Sequence, residues 1–133
     1  NNLNSANGTY VDYKFLTGDF NGDGRIDFLW YTISSATGLA STGCGVCVNA
    51  NIWLNNGDGT FANSTVANIN GSQPYVMDFN GDGKSDILWN TQNGYGASTG
   101  TRVLLTSNGD GTFTTNNNLN SANGTYVDYK FLT

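Results

Sequence analysis

The chain has 133 residues; all ten of its acids are Asp, Glu and His are absent, and five Lys and Arg leave a net charge of −5. That is enough chain for one domain or a few small repeats. There is no basic stripe for a phosphate backbone, so no nucleic acid is expected as a partner, and no apolar run approaches the roughly 18 residues that span a bilayer, so no membrane insertion is expected. Nothing at the start reads as a signal peptide, but the chain begins with Asn rather than Met, so this says nothing about export.

Gly supplies 18 residues and Asn recurs throughout, and Asp, Asn and Gly favour turns over helices. Between those turns, short runs of aromatic, β-branched and aliphatic residues predict strands at Tyr13–Asp19, Asp27–Ile33, Asn51–Asn55 and Thr60–Val66. A second set follows at Tyr75–Asp78, Asp86–Asn90, Arg102–Thr106 and Thr112–Thr115. The two sets are related. GDFNGDGRIDFLWYT (18–32) aligns with MDFNGDGKSDILWNT (77–91), and NIWLNNGDGTF (51–61) aligns with RVLLTSNGDGTF (102–113).

Four strands recurring in tandem are the signature of a β-propeller blade. The expected fold is therefore all-β, built of four-stranded antiparallel β-propeller-type blades. Residues 1–12 read as a linker or the end of a preceding blade, 13–72 as the first blade, 73–126 as the second and 127–133 as the first strand of a next blade. Residues 1–17 recur letter for letter as 117–133. Either the parent chain repeats every 116 residues or the segment is copied. Two blades and part of a third cannot close a ring, which takes roughly four to eight. A larger ring or a tandem or filamentous array is expected, with self-contacts running head to tail.

The chemistry concentrates in DFNGDGRID. Asp19, Asn21 and Asp23 occupy positions one, three and five, the Arg25 carbonyl seven and Asp27 nine, with Gly24 permitting the turn. The second copy offers Asp78, Asn80, Asp82, the Lys84 carbonyl and Asp86. Oxygen donors at alternate positions suit a hard cation, and Ca²⁺, which takes six to eight oxygens in flexible loops, suits them better than Mg²⁺. An EF-hand is excluded: position twelve is Trp30 or Trp89 instead of Glu, and strands flank the loop instead of helices. The competing reading is a solvated Asx-rich turn without metal.

DFNGDGRIDFLW and DFNGDGKSDILW, each followed by NGDGTF, resemble the FG-GAP and VCBS-type repeats of integrin-α-like β-propellers and of related secreted bacterial and fungal lectin propellers. The resemblance covers both sub-repeats. It implies a blade whose Asp-rich loop, between the first two strands, binds Ca²⁺ through the ten positions just named. Asn at the third position departs from the commonest form and lowers the ligand charge.

Four further features are candidates. NNGDGTF and SNGDGTF carry one carboxylate each, Asp58 or Asp110, and read as hairpin turns. Trp30, Trp89, Phe61 and Phe113 read as core between blades. Trp53, aligned with Leu104 or Val103, is with Tyr95 the candidate ligand surface, although core is the first reading for it too. Cys44 and Cys47, in a Gly/Ser/Thr loop, read as a local disulfide, with a redox motif or half a zinc site as the alternatives. Asn7, Asn63, Asn70 and Asn123 head sequons for glycosylation. With no His, no Glu and no paired carboxylate outside the loops, an enzyme is not expected. The expectation is a secreted or cell-surface calcium-binding repeat protein for self-assembly or adhesion; the alternative is a carbohydrate-binding, lectin-like propeller with glycans as partners.

Overall fold

The computed structural model describes residues 3–4, 10–34, 37–42, 49–92 and 98–117. Cys44, Cys47, Tyr95, Asn7, Asn123 and the segment 127–133 lie outside the described residues. Among the described residues there is no helix, and so none long and apolar enough to cross a membrane.

Among the described residues, nine strands form two antiparallel sheets. The first contains β1 (Leu3–Asn4), β2 (Tyr10–Gly18), β3 (Asp27–Ser34), β4 (Asn49–Asn55) and β5 (Phe61–Ala67), in that order. The second contains β6 (Ser72–Met77), β7 (Asp86–Gln92), β8 (Ser98–Ser107) and β9 (Phe113–Asn116). Strands neighbouring in sequence are neighbours in space, so β2–β5 and β6–β9 are simple four-stranded meanders. All eight predicted strands are present. The main difference is β8, which starts at Ser98 rather than Arg102 after a register shift opposite Asn90 and Gln92; its opening residues Ser-Thr-Gly-Thr carry no apolar signal.

The sheets stack face to face. Along β3 and β4 the inward side chains are Leu29, Tyr31, Ile33, Ala50, Ile52 and Leu54, and the second sheet answers with Ile87, Trp89 and Leu105. Tyr31 meets Trp89 edge-on, ring centroids 5.8 Å apart at 89°, a favoured geometry for paired rings. The register pairs Phe28 with Trp53 and Ile87 with Leu105. Trp53 is thus matched by Leu105, not by Leu104 or Val103; side chains alternate across a strand, so a one-residue slip puts Leu104 on the opposite face.

The seam between the sheets is tight where β2 ends. A Cβ on Gly18 would lie 2.8 Å from Val76 Cγ1 and 3.0 Å from Ser85 Cβ, so only Gly permits this approach. Beside it, Ser85 N–H donates to the Asp19 carbonyl at 2.7 Å and Asp19 N–H donates to Ser85 Oγ at 2.9 Å. On the outer edge, Ser64 Oγ donates to the Gly111 carbonyl at 2.8 Å.

Candidate functional site

Each Asp-rich loop closes a hairpin between the first two long strands of its sheet: 19–26 joins β2 to β3, and 78–85 joins β6 to β7. Both are folded by their own carboxylates. Asp19 Oδ1 accepts from Gly22 N at 2.8 Å and Asp23 N at 3.0 Å, and Oδ2 accepts from Gly24 N at 2.8 Å. Asp78 repeats the pattern with Gly81, Asp82 and Gly83 at 2.8, 3.1 and 2.9 Å. This wrap requires left-handed backbone at position six, where Gly24 has φ +82° and Gly83 φ +83°, a region that disfavours side-chain-bearing residues.

The ninth-position Asp has a distinct job. Asp27 is 0% exposed; its Oδ2 accepts from Phe20 N and its Oδ1 from Asn55 N, both at 2.8 Å. Asp86, also 0% exposed, accepts from Phe79 N and Ser107 N, both at 2.9 Å. Each therefore staples its loop to the end of the third strand of its own meander. Burial pushes the Asp27 carboxyl above the usual range, and the Asn55 and Phe20 amides oppose that shift.

Position five is exposed. The Arg25 backbone N–H, with lesser help from the Asn21 amide and the Arg25 guanidinium, holds Asp23 below the usual carboxylate range. Lys84, through its backbone N–H first, does the same for Asp82. The accompanying ion pairs, Arg25–Asp23 at 2.6 Å and Lys84–Asp82 at 3.2 Å, are solvent-facing, so water screens them.

The donor set fits a hard cation in kind and spacing, being oxygen throughout. Asp19 Oδ2, Asp23 Oδ1 and both oxygens of Asp27 each accept one hydrogen bond from the protein, and a carboxylate oxygen has a second lone pair to give. Asn21 Oδ1, which accepts from Asp23 N at 3.2 Å, also keeps a lone pair. As the side chains stand, no group of three acids among the described residues is gathered for a metal ion; the backbone amides hold the carboxylates instead.

The NGDGTF segments are turns. Asp58 Oδ1 accepts from Thr60 Oγ1 at 2.6 Å and Thr60 N at 2.9 Å, and Asp110 does the same with Thr112. Led by the hydroxyl, those bonds lower both carboxyls from the usual value.

On the side of the first sheet facing away from the second lies a continuous aromatic surface. Phe15, Phe28, Trp30, Trp53 and Phe61 are linked ring to ring at centroid distances of 4.8 to 6.1 Å. Phe15 is 51%, Phe61 38% and Trp53 36% exposed. Trp30 and Phe61, expected as core, are thus part of a half-open face, whereas Trp89 is fully buried. Asn63 pairs in register with Trp53, which puts its sequon on this same face. Asn70 lies in the turn between the sheets, its Oδ1 accepting from Thr42 N at 3.3 Å. Neither the stapling role of Asp27 and Asp86 nor the openness of the aromatic face was evident in the sequence. The one available signal was that NGDGTF follows each Asp-rich loop, which places Asn55 and Ser107 at equivalent strand ends.

Two stacked meanders, each closed by an Asp-rich hairpin loop, define a tandem all-β repeat. The FG-GAP-like repeat matches residues 19–89, more than half of the chain, and the protein belongs to that family. No curated protein matches it. Among solved structures it is similar to the exotype rhamnogalacturonan lyase YesX, with 19% identity over 87% of this chain and 24% of that one, at a TM-score of 0.43. It is likewise similar to the rhamnogalacturonan lyase YesW, with 20% identity over 87% of this chain and 25% of that one, also at 0.43. The chain spans about a quarter of the length of either lyase, and at this identity the likeness extends to neither activity nor substrate.

Proposed function

We propose that the protein is a non-catalytic, calcium-binding extracellular repeat protein with a structural role in self-assembly or adhesion. The observation carrying this reading is the duplication of one loop architecture: in both sheets the ninth-position Asp is buried and tied to the third strand, and the first loop's Asp19, Asn21 and Asp23 each have an oxygen that accepts a single hydrogen bond and so keeps a lone pair to give. Ca²⁺ would be held by Asp19, Asn21, Asp23, the Arg25 carbonyl and Asp27, and in the second loop by Asp78, Asn80, Asp82, the Lys84 carbonyl and Asp86. It would draw the three carboxylates of each loop together and neutralise them. An Asn at the third position lowers affinity, which suits the high-calcium exterior of a cell, where modules bind in the range of about 10⁻⁴–10⁻³ M. A Cys44–Cys47 disulfide and glycans on the sequon asparagines would belong to the same compartment.

The test is thermal melting with EDTA and then with excess Ca²⁺, alongside elemental analysis. EDTA is expected to lower the melting temperature and Ca²⁺ to restore it. An unchanged curve with no metal bound would sink the calcium reading. A second reading, a sugar-binding surface, is favoured by the exposed Trp53 and Phe61 rings, since flat aromatic faces suit ligand stacking; reproducible, competable binding to one sugar class on a glycan array is its test.

A further inference from the structure

The two Asp-rich loops close hairpins in different sheets, yet their candidate ligands are joined by an unbroken run of peptide units. The Lys84 carbonyl, seventh position of the second loop, shares its peptide unit with the Ser85 N–H, which donates to the Asp19 carbonyl at 2.7 Å. The Asp19 carbonyl shares its own unit with the Phe20 N–H, which donates to Asp27 Oδ2, ninth position of the first loop, at 2.8 Å. Two rigid planar units thus lead from one ligand set to the other.

A second connection starts from the buried acid of the second loop. Asp86 Oδ1 accepts from Ser107 N–H at 2.9 Å, and the Ser107 hydroxyl donates to the Phe20 carbonyl. Phe20 is therefore held on both sides, its N–H by the first loop's buried acid and its carbonyl by a residue stapled to the second's. Its ring is fully buried, 6.0 Å from Phe113. Alongside, Asp19 N–H donates to Ser85 Oγ at 2.9 Å, and the Lys84 stem lies over Gly22, where a Cβ would meet its Cγ at 3.1 Å. The repeat itself demands neither serine: the first copy has Ile26 and Asn55 at those places.

We infer that the two loops bind Ca²⁺ cooperatively, each raising the other's affinity through the Phe20 backbone. This deepens the calcium reading above and rests on it. The direction of Asp27 is set by the Phe20 and Asn55 amides, and Phe20 is set in turn by Ser85 and Ser107 from the second sheet. Among the described residues no three acids stand gathered for a metal ion, so the loops must be ordered before binding gains from them. Filling the second loop fixes Lys84 and Asp86, and with them the frame that aims Asp27. Fixing the backbone of one residue is worth roughly a factor of 5–30 in an equilibrium constant, and a second ligand arriving at an ordered frame is spared that cost. Two effects oppose it. Polarisation along the peptide units draws charge from Asp27, but alters a hydrogen bond by only about 10–30%, less than about twofold in affinity. Repulsion between the two charges is screened, because both loops face water. Ordering is the larger effect, so the coupling is positive, and linkage makes it equal in both directions.

The test is a Ca²⁺ titration of the full, EDTA-treated chain followed by NMR, with the Gly24 amide reporting the first loop and the Gly83 amide the second. Asp82→Ala silences the second loop and leaves its buried staple intact; it should weaken Ca²⁺ at the first loop by about fivefold or more, as coupled sites commonly do. Asp23→Ala should weaken the second loop by the same factor. In Ser85→Ala/Ser107→Ala every candidate ligand stays in place, so both loops should still fill. The coupling factor should fall by about half or more there, because only the Ser85 N–H still bridges the loops. Amide exchange gives an independent readout if that variant melts early. In Asp23→Ala, filling the second loop alone should slow exchange at the Phe20 N–H by about fivefold or more, as ordering of its frame requires. A wild type in which neither glycine responds overturns the calcium reading and the coupling with it. Loops that fill independently, or a Phe20 amide indifferent to the second loop, overturn the coupling and leave the calcium reading standing. Coupling unchanged by the loss of both hydroxyls overturns the path through Phe20.

Discussion

The two Asp-rich loops are nearly the same sequence with the same internal hydrogen bonds, yet Phe20 in the first is sealed between sheets and Phe79 in the second stands in solvent. Local sequence dictates how the loop folds; the stacked neighbour dictates what it is worth. The difference can be broken directly. Phe20→Ala is expected to cost about 3–5 kcal/mol, the usual range for a buried aromatic, and Phe79→Ala no more than about 0.5 kcal/mol, as for a surface change, both read from urea unfolding.

The ninth-position Asp should erase the contrast instead. Asp27→Ala and Asp86→Ala each leave one buried amide, that of Phe20 or Ser107, and one part-buried amide unpaired; at about 1–3 kcal/mol for a buried donor, losses of about 2–3 kcal/mol are expected at both sites. A large loss at one only would mean that the staple depends on the neighbouring sheet.

Gly18 and Met77 sharpen the comparison further, since they occupy equivalent positions. Gly18→Ala forces a methyl group against Val76 and Ser85 and should destabilise by about 1–3 kcal/mol, whereas Met77→Ala should cost less than about 1 kcal/mol.

The smallest effect concerns the hairpin turns. The Thr112 hydroxyl leads in lowering Asp110, as Thr60 does for Asp58. A lowered carboxyl contributes stability that is present above its unfolded pKa and lost as pH falls through the folded one. Thr112→Val should therefore move Asp110 upward in an NMR titration and trim stability slightly above the unfolded value, leaving Asp58 where it was.

Much of this was legible in the chain. Aromatic and β-branched runs between Asn/Asp/Gly turns located all eight main strands, and DFNGDGRID with its copy located both loops. What did not show was context. Trp30 and Trp89 sit at the same place in their repeats, and nothing in DFLW or DILW says which is covered, because that depends on whether another sheet lies beyond. Asp27 reads as a ligand from its spacing; that both its oxygens hold backbone amides follows only once Asn55 is brought alongside. The match of Trp53 to Leu105 needed the observed register, since the run of three apolar residues Val103, Leu104 and Leu105 in β8 offers no internal marker.

The absence of a side chain at position 18 has one more implication. Gly18 lets β2 and the second sheet close up, so the two meanders are joined as a tight pair. The Gly joint is locked by the reciprocal hydrogen bonds between Ser85 and the Asp19 backbone, one given by the Ser85 N–H and one accepted by its hydroxyl, and by the inserted Phe20. Pulling either meander away would have to break that joint all at once, so the smallest cohesive segment of the chain is the pair.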